Sequence, residues 1–250
     1  MRVTVLGTSG AWPAAGRACS GYLLESGDAR LVLDLGFGVL PRLLERCPAA
    51  QLTAVFLSHA HADHCVDLYG LFRALRLSTP PLPSPPIFAS EEVVQRVGGL
   101  DGPGGPDRLR RELDLRPLPG GDPLEVGPFR LRAFELPHFV PNHGVRVEAK
   151  GRVVAYTGDT GPSDRVLDLA RDADLFLCEA TFQTPPPEQG PRYLLSATEA
   201  GEYARAAGVR QLMLTHFWPG EDRSRSRVLA AAAYGGPVSI AEEGLTVDVG

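Results

Sequence analysis

Residues 58–64 read Ser-His-Ala-His-Ala-Asp-His, and this stretch decides how the rest of the chain is interpreted. Imidazole nitrogens and carboxylate oxygens are the ligands that zinc and related divalent metals take in proteins. His59 and His61 alternate and so point to one side of an extended segment, while Asp63 and His64 follow where the chain turns into a helical pattern. The alternative is a polar loop with accidental histidines, but the chain has only 6 histidines and three lie here. The loop therefore predicts ligands for two neighbouring metal positions.

Other potential ligands follow apolar runs that are typical of buried strands. His138, Asp159 and His216 each come shortly after such a run, and His143 lies at the start of another. Functional side chains gather at strand ends in layered folds. A single histidine in such a place is usually structural. Taken together with the histidine-rich loop, however, His138, Asp159 and His216 are predicted to complete a metal site.

The order of the elements indicates an α/β fold. Hydrophobic residues make up 44% of the 250 residues, which is enough for a sizeable core. Strand patterns alternate with helical ones, and Ser196 with Glu199 forms a capping-box sequence that predicts a helix start. Two packed sheets with helices outside account for this order, and residues 1–250 are interpreted as a single domain. Segments 78–86 and 100–106, rich in proline or glycine, predict loops that line the site or form a dimer contact.

Charge and cysteine content narrow the function classes. The formal net charge is −5, which weakens the case for a long nucleic acid substrate. The 4 cysteines lie far apart and include no C-x-x-C pair, so neither a disulfide framework nor a structural zinc site is expected. The sequence shows no signal-peptide pattern and no apolar run of membrane-spanning length. We therefore expect a cytoplasmic protein with a small-molecule substrate and no membrane partner.

The motifs together resemble the metallo-β-lactamase superfamily, from Val3 to near the C-terminus. His-Ala-His-Ala-Asp-His matches its H-x-H-x-D-H signature, and the later histidine, Gly-Asp-Thr and Thr-His-Phe segments follow in the expected order. The resemblance implies a four-layer αββα sandwich of two mixed β-sheets flanked by helices. It also implies a hydrolase with two divalent metal ions and a metal-bridging hydroxide as nucleophile. Zinc is the expected metal, with manganese or iron as the alternatives. Carried over by position, the first metal would be bound by His59, His61 and His138, the second by Asp63, His64 and His216, with Asp159 as the bridge.

Within the superfamily the chain is most similar to the ribonuclease Z-like branch and its bacterial cyclic-nucleotide phosphodiesterase relatives. The segments 6–10, 34–36 and 156–160 carry this likeness, and Glu179-Ala-Thr-Phe resembles the branch's H-E-A-T motif. Two features depart from ribonuclease Z. Cys178 replaces the histidine that helps to protonate the leaving group, and residues 139–158 leave no room for a tRNA-gripping arm. A phosphodiesterase acting on a small cyclic nucleotide is therefore expected.

Three other functions remain open at this point. The same ligands could serve a lactone, thioester or β-lactam hydrolase, since ligands alone do not choose the substrate. A ribonuclease Z-like endoribonuclease is a further alternative. A metal-binding sensor or partner module is the alternative outside catalysis, although a full set of seven ligands argues against it. A homodimer is also plausible from the resemblance.

Several residues around the ligands are candidates for supporting roles. Asp63 is expected to orient or deprotonate water as well as to bind metal. Asp34 and Glu179 could accept hydrogen bonds from ligand histidines; alternatively, Asp34 is a turn residue and Glu179 satisfies backbone groups. Thr160 contacts a phosphate or only fills its loop. His143 donates a proton to the substrate or has no catalytic duty.

Overall fold

The structure is a computed structural model that describes residues 1–118, 120–187 and 190–250. In these residues, short apolar runs separated by turns form fourteen strands. In chain order they are β1 (Arg2–Gly7), β2 (Gly21–Ser26), β3 (Ala29–Leu33), β4 (Ala54–Phe56), β5 (Pro86–Phe88), β6 (Asp114–Arg116), β7 (Leu124–Val126), β8 (Phe129–Leu136), β9 (Asn142–Ala149), β10 (Arg152–Tyr156), β11 (Leu175–Glu179), β12 (Leu212–Thr215), β13 (Val238–Ile240) and β14 (Thr246–Asp248). The first sheet has the order β14-β1-β2-β3-β4-β5-β6, and the second has the order β13-β12-β11-β10-β9-β8-β7. Both sheets contain parallel and antiparallel pairs.

Eight α-helices connect these strands in the described ranges. They are α1 (Val39–Leu44), α2 (Ala62–Cys65), α3 (Asp67–Leu77), α4 (Glu91–Gly99), α5 (Gly105–Glu112), α6 (Asp164–Ala170), α7 (Ala197–Ala206) and α8 (Arg223–Tyr234). The capping box predicted at Ser196 and Glu199 is confirmed, because each side chain accepts a hydrogen bond from the other's backbone N–H. None of these helices combines the length and the apolar character needed to cross a bilayer.

Apolar side chains on alternate strand positions build the layers. In β9, Val145 and Val147 join the core between the two sheets, whereas the side chains that alternate with them point away. In α3, Leu68, Leu71 and Leu75 are buried at helical spacing against the outer face of the first sheet. Each such burial contributes roughly 1.5–3 kcal/mol. Helices α1 and α3–α5 contribute to the outer core of the first sheet and α6–α8 to that of the second, so the four-layer αββα fold is confirmed.

The parallel strands bring polar residues to one edge of the sandwich. In the first sheet β3, β4, β5 and β6 run parallel, and in the second β10 to β13 do so. Asp34 and the histidine-rich loop follow β3 and β4. Asp159 and His216 follow β10 and β12. Their side chains meet across the gap between the sheets, which places the predicted ligands at a single edge.

The structure corrects one predicted loop. Segment 100–106 was expected to be irregular, but α5 already begins at Gly105. Gly104 adopts a left-handed conformation (φ 76°) at the start of the helix, and Pro106 lies in its first turn. Proline is tolerated there because the first backbone N–H groups of a helix have no partner within it. The same residues that suggest a helix breaker therefore begin a helix here.

Candidate metal centre

Backbone hydrogen bonds hold the histidine-rich loop against the neighbouring strand end. Ser58 N–H donates to Asp34 Oδ1 (2.7 Å), and Leu35 N–H donates to the carbonyl of His64 (2.8 Å). Asp34 has φ 60°, in the left-handed region that L-residues with a Cβ seldom adopt, although aspartate enters it more readily than most. This backbone conformation lets the Asp34 carboxylate reach the next loop. Together these hydrogen bonds hold the histidine-rich loop beside the end of β3.

Three imidazole nitrogens converge at the first position. His61 Nδ1 lies 3.1 Å from His59 Nε2 and 3.1 Å from His138 Nε2. Nitrogens bound to a tetrahedral zinc at 2.0–2.1 Å are about 3.3 Å apart. The spacing of the three nitrogens therefore fits one ion of this size with little movement.

Two histidines and a carboxylate converge at the second position. Asp63 Oδ2 lies 3.4 Å from His216 Nε2 and 3.5 Å from His64 Nε2, and all three side chains are buried. Ala11 N–H donates to the same Asp63 oxygen (2.7 Å), which fixes the orientation of the carboxylate. The separations again suit a shared divalent ion, with one further ligand supplied from between the two positions.

Asp159 is placed to supply that further ligand. Its Oδ1 lies 3.2 Å from both His64 Nε2 and His216 Nε2, while its Oδ2 lies 3.6 Å from His138 Nε2 and 3.8 Å from His59 Nε2. Oδ1 is buried and has no hydrogen-bond partner, although a buried carboxylate oxygen normally needs one. One carboxylate thus faces both groups, and a divalent ion held by His64 and His216 would satisfy the orphaned oxygen. The residues fit the two ions that the superfamily resemblance implies.

The outer nitrogens of the histidines have partners that fix their tautomers. His64 Nδ1–H donates to Asp34 Oδ2 (2.7 Å), and His138 Nδ1–H donates to the carbonyl of Tyr193 (2.8 Å). With the proton held on Nδ1, the lone pair of Nε2 faces the cluster. Asp34 therefore lies where a partner of a ligand histidine must lie, rather than serving only as a turn residue.

A hydroxyl that the sequence analysis missed connects Glu179 to a ligand. His216 Nδ1–H donates to Thr181 Oγ1 (2.9 Å), and Thr181 O–H donates to Glu179 Oε2 (2.6 Å). The other Glu179 oxygen accepts the Thr160 backbone N–H (2.6 Å), so Glu179 satisfies a backbone group and reaches the ligand His216 only through Thr181. The Glu179-Ala-Thr segment places the Thr181 hydroxyl two residues after Glu179, which is the signal in the sequence for this hydrogen bond.

The positioning role of Thr181 can be tested by an isosteric change. Thr181→Val removes the hydroxyl and leaves His216 Nδ1 without its acceptor, so we expect zinc affinity at the second position to fall about 10- to 100-fold. Thr181→Ser should restore it. The measurement is a competitive zinc titration with a chromogenic chelator. Equal affinities for the threonine and valine proteins would contradict this role.

Two other candidates lie differently from expectation. The Thr160 hydroxyl is fully buried and donates to the carbonyl of Gly161 (2.8 Å), so it fills its loop rather than facing a phosphate. His143 is not brought into the cluster. Its side chain lines a neighbouring cavity of about 530 Å³ with Ser90 and Leu115, because β9 places it beside the ends of β5 and β6. The geometry therefore gives no support to proton donation by His143.

Cys178 occupies the position of the histidine in the branch motif. It lies in the apolar core beneath α7 and is fully buried. Burial holds the pKa of its thiol well above the usual value, and the neighbouring Glu179 raises it further. The thiol stays protonated and out of reach of the cleft, so the structure does not place it for proton transfer.

The electrostatics of the cluster favour the metal-binding form at some side chains and oppose it at others. Although burial opposes the shift, Asp159 and Asp63 hold the pKa of His64 well above its usual value and raise that of His216, so both imidazoles must release a proton when a metal binds. Burial, followed by the nearby His64, holds the pKa of His59 well below its usual value, which keeps its imidazole neutral. Burial would raise the pKa of Asp63, but His64 and His216 hold it below its usual value. Burial and the Asp159 carboxylate raise the pKa of Glu179 to about 8. Neutral imidazole and ionised carboxylate are the forms that bind metal.

The cluster forms the floor of a small open cleft. Its volume is about 330 Å³. The floor consists of His61, Asp63, His138, Asp159 and His216, and the walls consist of Ala11, Ala62, Phe139, Leu194 and Trp218. The volume lies at the lower end of the range for small-ligand sites, about 300–1,000 Å³. A polar floor of candidate metal ligands is therefore combined with apolar walls.

Comparison with known proteins agrees with this geometry. An uncharacterized protein of Mycobacterium leprae is 37% identical, over 100% of this chain and 89% of its own length. The probable metallo-hydrolase YhfI of Bacillus subtilis is 31% identical over 98% of both chains, and its crystal structure superposes with a TM-score of 0.85 at 30% identity, covering 99% of each chain. A ribonuclease Z of Natronomonas pharaonis is 29% identical over 100% of this chain and 98% of its own.

The model of the beta-lactamase superfamily domain matches residues 29–217, which include all seven predicted ligands. This match spans well over half of the chain. Together with the two-sheet sandwich and the converging ligand atoms, it shows that the chain belongs to the beta-lactamase superfamily and has the metallo-β-lactamase fold.

Proposed function

We propose that the protein is a two-metal hydrolase that cleaves a small phosphodiester, with a cyclic nucleotide as the leading substrate class. The observation that carries this proposal is the cleft itself. Seven potential ligand side chains converge at or beneath a space of about 330 Å³. That space accommodates a small molecule above the ligands, and its apolar walls suit the body of a nucleotide.

When bound, two divalent ions lower the pKa of water and neutralise charge on the oxygens of the ester. The residues of the chain hold these ions and the substrate in position. Asp63 lines the cleft and is fixed by the Ala11 N–H, so its carboxylate can also accept a proton from water beside the ester. Asp159 faces both groups of ligands and sets their separation.

The second role of Asp63 leads to a specific expectation. Asp63→Asn retains an oxygen ligand but removes the base, so turnover should fall about 100-fold or more while two metals remain bound. Metal content is measured by inductively coupled plasma mass spectrometry, and turnover is measured on the same sample. A variant that keeps both metals and full turnover would show that Asp63 only binds metal.

The ribonuclease alternative has support from ribonuclease Z relatives of three organisms and several features against it. The full-length similarity to a ribonuclease Z favours it. Between His138 and Asp159, however, the chain contains β9, β10 and short turns, with no arm for tRNA. The acidic net charge of −5 and the buried Cys178 also favour a small substrate over a long RNA.

One set of assays separates the candidate functions. A single metal-loaded preparation is tested on bis(p-nitrophenyl) phosphate, 2′,3′- and 3′,5′-cyclic nucleotides, a lactone and a precursor tRNA, with His61→Ala as the control. We expect turnover of a cyclic nucleotide that is lost in the variant. Turnover of the lactone alone would assign carbonyl hydrolysis, and cleavage of the tRNA alone would assign a ribonuclease. Absence of turnover on all substrates would favour a metal-binding module.

A further inference from the structure

Aromatic side chains that are not part of the hydrophobic core lie beside the cleft. Phe139 follows the ligand His138 and is 65% exposed, and Trp12 is 48% exposed. Trp218 lines the cleft two residues after His216, with its ring centroid 6.2 Å from that of Trp12. Exposed rings contribute little to core stability, and a group of them beside a ligand cluster marks a binding surface.

The two rings that line the cleft are held in place by other aromatic rings. The centroid of Phe139 lies 4.7 Å from that of Tyr193 and 5.2 Å from that of His138. The centroid of Trp218 lies 5.8 Å from that of Phe182. These separations are typical of favourable aromatic pairs. Both rings therefore present fixed apolar faces, so little conformational entropy is lost when a ligand contacts them.

The distribution of charge in the cleft limits what the walls can bind. Among the described residues that line it, the ionisable groups are the metal-binding histidines and aspartates of the floor, and neither lysine nor arginine is present. An anionic group of a ligand would therefore be attracted to metal ions held by these floor residues rather than to the walls. The walls offer dispersion and stacking, which suit a planar apolar ring.

We propose that Phe139 and Trp218 bind a planar aromatic ring of the substrate, such as a nucleobase, while its ester lies over the ligand cluster. This proposal rests on the proposed function for the identity of the ester, but ring binding does not depend on which ester is cleaved. The two residues act as specificity determinants that favour ring-bearing substrates over those without a ring.

The chain's 2 tryptophans provide a binding signal that does not need turnover. In a Trp12→Phe protein, Trp218 is the one remaining tryptophan, and its fluorescence reports ligand binding. The zinc-loaded protein is titrated with adenosine 5′-monophosphate and, as the ring-free ligand, with ribose 5-phosphate. We expect the nucleotide to quench Trp218 and to bind about tenfold or more tightly than the sugar phosphate. Equal affinities, or unchanged Trp218 emission at saturating nucleotide, would overturn the proposal.

Substitutions at Phe139 test the second ring, with affinities measured by calorimetry. Phe139→Ala should weaken nucleotide binding about tenfold and leave ribose 5-phosphate unchanged, while Phe139→Tyr should retain it. Leu77→Ala, at a position 59% exposed at the end of α3, is the matched control for loss of exposed apolar surface. Unchanged nucleotide affinity in Phe139→Ala would overturn the proposal. The proposal would also be overturned if the protein is a dimer that Phe139→Ala dissociates, because Phe139 would then be a subunit contact.

These results distinguish this proposal from the proposed function. Ring-dependent nucleotide binding in a protein that hydrolyses no phosphodiester would overturn the phosphodiesterase function and keep the ring site. Conversely, equal kcat/KM for 3′,5′-cyclic AMP and for the cyclic phosphate of ribose alone would keep the function and overturn the ring site.

Discussion

Asp159→Ala is expected to abolish hydrolysis and to reduce bound metal from two ions to at most one. Among the described residues, Asp159 is the one that belongs to both sets of ligands, and its carboxylate lies 3.2 Å from His64 and His216 and 3.6 Å from His138. Without it, the two positions lose a shared anion that offsets the repulsion between two cations. The loss of metal-supplied charge stabilisation is worth several kcal/mol, so kcat should fall by roughly a thousand-fold or more.

Metal content and turnover are measured on the same preparations of Asp159→Ala. Asp168→Asn is a suitable control, since this exposed carboxylate on α6 pairs with Arg171 far from the ligand cluster. It should retain two ions and full activity. If Asp159→Ala keeps two ions and turns over substrate at the normal rate, the bridging assignment is wrong and the two groups of ligands bind metal independently.

Much of this site could be predicted from one short stretch of sequence because ligand chemistry is local. The spacing of His59, His61, Asp63 and His64 is visible in the chain, and the apolar runs before the other ligands predict strand ends. The superfamily fold was predicted correctly because the ligand motifs that indicate it are visible in the sequence. The assignment of each ligand to a metal stays a prediction, although the structure brings all seven ligands together.

The parts that the sequence did not predict depend on three-dimensional packing. Whether His143 enters the cluster depends on where β9 lies beside β5 and β6, and no local pattern records this. The hydroxyl of Thr181 meets His216 across 35 positions of the chain. The two aromatic side chains of the walls, Phe139 and Trp218, come from separate loops, one after β8 and one after β12. Helix α5 was missed because glycine and proline are shared by loops and helix starts.

Asp34→Asn is expected to cost about 3 kcal/mol or more of stability and to weaken zinc at the second position about 10- to 100-fold. The carboxylate is fully buried and accepts four hydrogen bonds, from the backbone N–H and hydroxyl of Ser58, from His64 Nδ1 and from the Tyr156 hydroxyl. Asparagine keeps the size and tolerates the left-handed backbone. Its amide group must nevertheless face at least one of these donors, and the charge that strengthens the others is lost.

The expected loss of zinc affinity at the second position follows from a change in the tautomer of His64. When the acceptor at Nδ1 weakens, the proton can move to Nε2, which then cannot bind metal. Urea unfolding of the metal-free proteins measures stability, and a competitive zinc titration measures affinity. Asp67→Asn is the matched control, because this partly buried carboxylate accepts the Leu40 N–H (2.8 Å) but touches no ligand histidine. Asp67→Asn should lower the free energy of unfolding and leave the zinc affinity unchanged. If Asp34→Asn behaves in the same way, Asp34 supports the fold without tuning His64, and the hydrogen bond between them has no role in metal binding.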